Sequence, residues 1–278
     1  MTNAEFTPIV FGASLLAGFV GALTGLGGGV IVTPTLTLFL GVDIRYAIGA
    51  SLVSVIATSS GSAAAYVREG YSSIRIGMFL EIATTIGAVF GAYLATRVPT
   101  GALSAIFGII LLQAAWQASR ELKHGTAPLA PDRLAEYLQL NGAYQAPEGL
   151  VRYTVHRVKT GFALMFGAGA VSGLLGIGSG SLKVIAMDQA MRIPFKVSTA
   201  TSNFMIGVTA AASASLYLSR GYVDPAIVFP VMLGVLAGSM AGAKFLPLLP
   251  VRVLRRGFAI VVAIIGLQMI FEGIKGRL

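Results

Sequence analysis

Shifted by 151 residues, this sequence lands on itself. Gly18 meets Gly169, Gly25 meets Gly176, Gly87 meets Gly238 and Gly91 meets Gly242. Between them Ser51, Thr58 and Tyr66 meet Ser202, Thr209 and Tyr217, all without a gap. A repeat of this length constrains the fold more than any local propensity, because both halves must build the same supersecondary unit. Each copy opens on a long apolar run broken by glycines: Gly25-Leu-Gly-Gly-Gly29 in one, Gly176-Ile-Gly-Ser-Gly180 in the other.

Only 11% of the 278 residues are charged and 55% are hydrophobic. A soluble domain carries roughly 25% charged residues, so this chain cannot cover a water-facing surface of ordinary size. The reading is an all-α integral membrane protein whose principal surroundings are the lipid bilayer. The net charge of +9 fits lysines and arginines gathered in cytoplasmic loops better than a nucleic-acid partner. The absence of cysteine excludes disulfides, thiolate metal sites and a cysteine nucleophile. Glu5 is the one charge ahead of the first apolar run, so a cleavable signal peptide is not expected.

Apolar stretches lie at 8–41, 47–67, 76–96 and 101–118, then at 160–191, 198–218, 226–246 and 253–272. Most match the ~20 residues that span a bilayer as a helix. The first of each set is too long. It is either one broken, tilted helix or a re-entrant hairpin of two half-helices. Continuous crossings put 11 Lys/Arg on the side of the central loop and 8 opposite, whereas hairpins put 14 on one face against 5 (Arg45, Arg97, Arg220, Lys275 and Arg277). The sharper asymmetry favours hairpins. Each half then crosses three times, so the halves are inverted, an arrangement characteristic of secondary transporters. The expected organisation is repeat one at 1–118, a cytoplasmic linker at 119–159 and repeat two at 160–278. Within the linker, Asp132 to Leu140 reads as a short helix. His124 and His156 lack partners at ligand spacing and are read as solvated loop residues, so no metal site, cofactor or catalytic residue is assigned.

Alternating glycines permit backbone angles closed to other residues, and irregular backbone at membrane depth needs a buried or hydrated lumen beside it. Gly27, Gly28 and Gly29, with Gly178, Ser179, Gly180 and Ser181, are therefore candidates for binding a small anionic substrate near the start of the returning half-helices. Neither stretch ends in Gly-Lys-Ser/Thr, so no nucleotide loop is read here. Lys183 lies inside an apolar run where the first half has Val32. An intramembrane lysine is costly and marks function by default, here a positive charge for the anion. Ser51, Ser202 and Asn203 are candidate hydroxyl and amide donors to an oxyanion, although membrane serines often bond their own helix. Glu81 and Asp188 are candidate proton-coupling acids. Gly87-x-x-x-Gly91 and Gly238-x-x-x-Gly242 read as close helix contacts.

The stretches Gly21-Ala-Leu-Thr-Gly-Leu-Gly-Gly-Gly-Val30 and Ser172-Gly-Leu-Leu-Gly-Ile-Gly-Ser-Gly-Ser181, followed by Ala47-Ile-Gly-Ala-Ser51 and Ser198-Thr-Ala-Thr-Ser-Asn203, resemble the sulfite exporter TauE/SafE family, also called the toluene sulfonate uptake permease family. The likeness covers both halves and leaves out 119–159. It implies a multi-pass protein of the bacterial inner membrane that moves sulfite, sulfoacetate or other organosulfonates. Without a nucleotide motif, a proton or another coupling ion, or the substrate's own gradient, must drive such a carrier. An anion channel and a carrier of non-sulfur organic anions are the alternatives. A membrane enzyme is disfavoured because no metal-binding or nucleophile motif falls at membrane depth. A homodimer is compatible with the sequence.

Overall fold

The computed structural model describes residues 3–24, 29–68, 72–119, 132–146, 149–245 and 251–275. Gly27, Gly28 and the 120–131 part of the central segment lie outside the described residues. The first repeat comprises α1 (Asn3–Thr24), α2 (Gly29–Pro34), a π-helical turn (Thr35–Phe39), α3 (Ile44–Arg68), α4 (Ile74–Ala95) and α5 (Thr100–Ser119). The central segment holds α6 (Arg133–Tyr137) and two strands, β1 (Gly142–Ala146) and β2 (Gly149–Tyr153). The second repeat comprises α7 (Val158–Leu175), α8 (Gly180–Ile185), a π-helical turn (Ala186–Ala190), α9 (Phe195–Ser219), α10 (Pro225–Phe245) and α11 (Val251–Ile274). From α2 to α5, every element starts 151 residues before its counterpart, the π-helical turns included. The duplication seen in sequence is thus a duplication of structure.

The polarity of the bundle is arranged for lipid. Met78, Ile82 and Ile86 on α4, Phe229 and Leu233 on α10 and Ile264 on α11 are all more than half exposed. The centre is polar by comparison. Ser51, Ser54, Ser198, Thr201, Ser202 and Thr209 on α3 and α9 are buried and must find partners inside the protein, because lipid offers none. Ile74–Ala95, Thr100–Gln117, Val158–Leu175 and Pro225–Gly242 are each long and apolar enough to cross a bilayer.

The repeats interlock. α1 packs most extensively on α10, and α4 on α7, so each repeat's opening helix lies on the other repeat. Glycine sets the spacing. Gly238 sits against Leu15 and Phe19, and Gly87 against Phe166 and Ala170, the same contact shifted by 151 residues. A β-carbon at Gly91 would overlap the Ala170 carbonyl, and one at Gly173 the Ala88 carbonyl. Backbones this close gain dispersion contacts where lipid supplies no hydrophobic force between helices. The equivalent helices α3 and α9 meet antiparallel, Gly49 by Tyr222 and Ser59 by Gly207. α5 and α11 do the same, with Gly101 by Gly273 and Gly108 by Gly266.

The second hairpin can be followed throughout. α7 ends at Gly176 in the left-handed conformation (φ 69°). Gly178 is also left-handed (φ 68°), and the chain turns back into α8. It returns to its own base, where the His156 amide donates to the Met191 carbonyl (3.0 Å) and the Met191 side chain covers Gly161.

The central segment is more structured than a linker with one short helix. Asn141-Gly142 opens an antiparallel β-hairpin registered Gly142↔Tyr153. Asp132 caps α6, its Oδ1 accepting from the Leu134 amide (2.9 Å) and its Oδ2 from the Val158 amide (2.8 Å) at the start of α7. These amides, that of Val158 foremost, hold the Asp132 carboxyl below its usual range. The Arg75 side chain donates to the Gln139 carbonyl (2.9 Å), and Asn141 Oδ1 accepts from the Val155 amide (2.8 Å). Ala135, Leu140 and Val155 join the apolar cluster of Ile76 and Met187. The segment is therefore docked onto one end of the bundle.

Candidate functional site

The glycine-rich tip of the second hairpin and the start of α2 converge on α3. Ile48 covers Gly176 and Val55 covers Gly178. Ser51, fully buried, donates its hydroxyl towards the carbonyls of Gly176 (2.8 Å) and Gly29 (3.3 Å). One side chain thus holds both stretches. Its equivalent Ser202 donates to the Gly180 carbonyl (3.2 Å), the counterpart of Gly29. In this packing the two hydroxyls face backbone carbonyls. Asn203 follows on α9, partly exposed, and Ser181 is the second residue of α8.

Ser179 takes a left-handed conformation (φ 43°, ψ 27°), uncommon for a residue with a side chain and a place where strain is stored. It is 2% exposed and lines a cavity of about 20 Å³ with Val30, Gln113, Gln117, Gly180 and Leu182. That is room for a water or two. Ser179 Oγ and Gln117 Oε1 are both buried without a partner among the described residues. Gln113 and Gln117 are one helical turn apart on α5, two amides in an apolar helix. That contrast with their surroundings is the signal that marks them in the sequence.

Lys183 is fully buried on α8. Its Nζ donates to Thr209 Oγ1 on α9 (2.5 Å). Thr209 Oγ1 in turn lies 2.7 Å from Glu81 Oε1 on α4, and Thr85 donates to the same carboxylate oxygen (3.2 Å). Three elements are thereby joined through one hydroxyl. Glu81 is 8% exposed. The structure brings Glu81 and Lys183, read separately in the sequence, into one network, and adds Thr209 as the bridge. Asp188 is buried in the π-helical turn that follows α8.

A polar centre, an apolar outer face and a duplicated unit containing a broken hairpin define a helical, multi-pass membrane protein. Comparison with known proteins specifies it further. A family model described as "Sulfite exporter TauE/SafE" matches residues 10–269, and the chain belongs to that family of membrane transporters. It is similar to two proteins of Bacillus subtilis (strain 168). One is the "Probable membrane transporter protein YunE", 30% identical over 267 residues, covering 94% of this chain and 96% of that one. The other is the "Probable membrane transporter protein YdhB", 28% identical, covering 95% and 98%. A "Probable membrane transporter protein" of Xylella fastidiosa (strain 9a5c) is 27% identical, covering 84% and 82%. No solved structure matches the chain.

Proposed function

We propose that this protein is a secondary transporter of small sulfur-containing oxyanions, namely sulfite, sulfoacetate or other organosulfonates, working by alternating access in the bacterial inner membrane. The observation that carries the reading is the meeting of both glycine-rich stretches on Ser51, with the buried cation Lys183 three residues beyond Gly180. Such a junction between repeats is where transporters of this build hold their substrates. The family's description supplies the sulfur oxyanion.

The repeats are inverted in this reading. Antiparallel packing of α3 on α9 and of α5 on α11 supports it, since repeats related by an axis along the membrane normal would run their equivalent helices parallel. The central segment faces the cytoplasm, on the side that carries 14 of the 20 lysines and arginines. The substrate site comprises Gly27–Gly29 and Gly178–Ser181, Lys183, Ser51, Ser202 and Asn203, and Gln113 and Gln117 are added to it. Movement of the tips away from α3 and α9 would free the Ser51 and Ser202 hydroxyls for the anion. Glu81 and Asp188 are the acids placed to exchange a proton.

The test is thermal stability of the purified protein against sulfite, sulfate, sulfoacetate, other sulfonates and carboxylates. A ligand at a hundredfold excess over its Kd adds about 2.7 kcal/mol. A selective rise with a sulfur oxyanion, lost in Lys183→Ala, is expected. A rise with carboxylates alone would overturn the substrate class.

A further inference from the structure

Because the two repeats correspond residue by residue, a chemical difference between equivalent positions marks work done by one repeat only. The largest such difference surrounds Lys183. The counterparts of Lys183, Thr209 and Glu81 are Val32, Thr58 and Met232. Thr58 Oγ1 turns back to the Ser54 carbonyl of its own helix (3.0 Å). Thr209, in the equivalent place, lies against the Met205 carbonyl of its own helix in the same way (2.9 Å), and in addition stands between a lysine and a carboxylate. The first repeat shows that the fold builds this position from apolar groups and a self-satisfied threonine. The buried charges of the second repeat, expensive to desolvate, are therefore not needed for the architecture.

We propose that Glu81, Thr209 and Lys183 form a proton-binding latch on the second hairpin, with no equivalent on the first. This rests on the transporter reading above and assigns its coupling ion and its stoichiometry. With Glu81 ionised, the carboxylate balances the Lys183 ammonium, and Thr209 ties α8 to α4. A proton arriving on Glu81 removes that balance and leaves a buried ammonium close to the hairpin tip. A monoanion binding there restores neutrality. The charge of the site is the same before and after, one proton on and one negative charge on, so transport of a monoanion is electroneutral. Release of both on the other side of the membrane returns the latch to its closed state.

The groups facing Glu81 are few. Thr209 comes from α9, Lys183 from α8, and Thr84 and Thr85 from its own helix. Asp188 is buried further along the same half-helix. Arg75, Lys159 and Lys196, in the first turns of α4, α7 and α9, are exposed.

The chain has no cysteine, so single cysteines report on each hairpin separately. Leu182→Cys on α8 and Ile31→Cys on α2 are equivalent positions. At neutral pH in proteoliposomes, adding Glu81→Gln is expected to speed maleimide labelling at Leu182→Cys about tenfold, the effect of a ~1.4 kcal/mol shift in the opening equilibrium. Labelling at Ile31→Cys should stay as it was. Equal acceleration at both positions, or none at either, overturns the latch. A second assay follows labelled methanesulfonate, a monoanion, under an imposed pH gradient. Glu81→Gln is expected to lower the ratio of gradient-driven accumulation to exchange about tenfold, and accumulation by the unaltered protein should ignore membrane potential. Accumulation that follows the potential overturns the stoichiometry. If the unaltered protein does not move methanesulfonate, the sulfonate reading fails, while the labelling comparison still decides the latch.

Discussion

Lys183→Met keeps most of the length of the side chain and removes its charge, so its effect on stability measures the partnership with Glu81. The bonds of 2.5 and 2.7 Å share Thr209 Oγ1, which places Nζ no more than about 5.2 Å from Oε1. At an effective dielectric of about 20, unit charges at that distance attract by ~3 kcal/mol. Lys183 is fully buried and Glu81 is 8% exposed, so little of this is screened. Losing either partner leaves the other uncompensated, at a cost of about 3–5 kcal/mol for such pairs. In a chain of this size a cost of 3 kcal/mol lowers Tm by ~6–12 °C. Lys183→Met and Glu81→Gln should each show a drop of that order, followed by circular dichroism in detergent. The double substitution leaves no unpaired charge and should recover most of the loss. If the two losses simply add, to within about 0.5 kcal/mol, the groups are not coupled and the network has been misread.

Two further outcomes follow from the packing and the docked segment. Gly91→Ala would drive a β-carbon into the Ala170 carbonyl and Gly238→Ala one into the Leu15 carbonyl. Each should lower stability by about 1–3 kcal/mol, and an unchanged Tm for either would contradict the close approach of the backbones. Asp132→Ala should cost about 1 kcal/mol as a lost N-cap, read as faster hydrogen exchange in α6. Because the Asp132 carboxyl is held below its ordinary range, its contribution is complete above the unfolded value of about 3.9. It fades as pH falls through the depressed folded value. Protection of the α6 amides in the unaltered protein, taken against the intrinsic exchange rate at each pH, should therefore fall only on acidification below that point, and protection that does not change there would refute the assignment.

The repeat, its period and the broken opening runs were legible in the sequence, because glycine and apolar residues recur at a fixed shift. Lys183 stood out because charge in an apolar run is rare. Its partnership did not, since Glu81 is distant in sequence and Thr209 was one hydroxyl among many that bond their own helix. Likewise Ser51 and Ser202 were recognisable as an equivalent pair. That both hydroxyls point at tip carbonyls depends on how the hairpin folds back. The β-hairpin of the central segment was not legible because two short strands carry little periodicity; Asn141-Gly142 stands at its open end and Gly149 at its closed end. Which helix each glycine stripe would meet was also hidden, as a stripe does not name its partner.

The exchange of opening helices between repeats has a consequence in time. α1 ends at Thr24 and the helix it rests on begins at Pro225, about 200 residues later. At 5–20 residues per second, α1 waits roughly 10–40 s in the bilayer before its partner is synthesised. Neither half is finished without the other, so a single copy of the unit could have been complete only as a pair of chains. Joining two copies end to end turned that encounter between molecules into a delay within one.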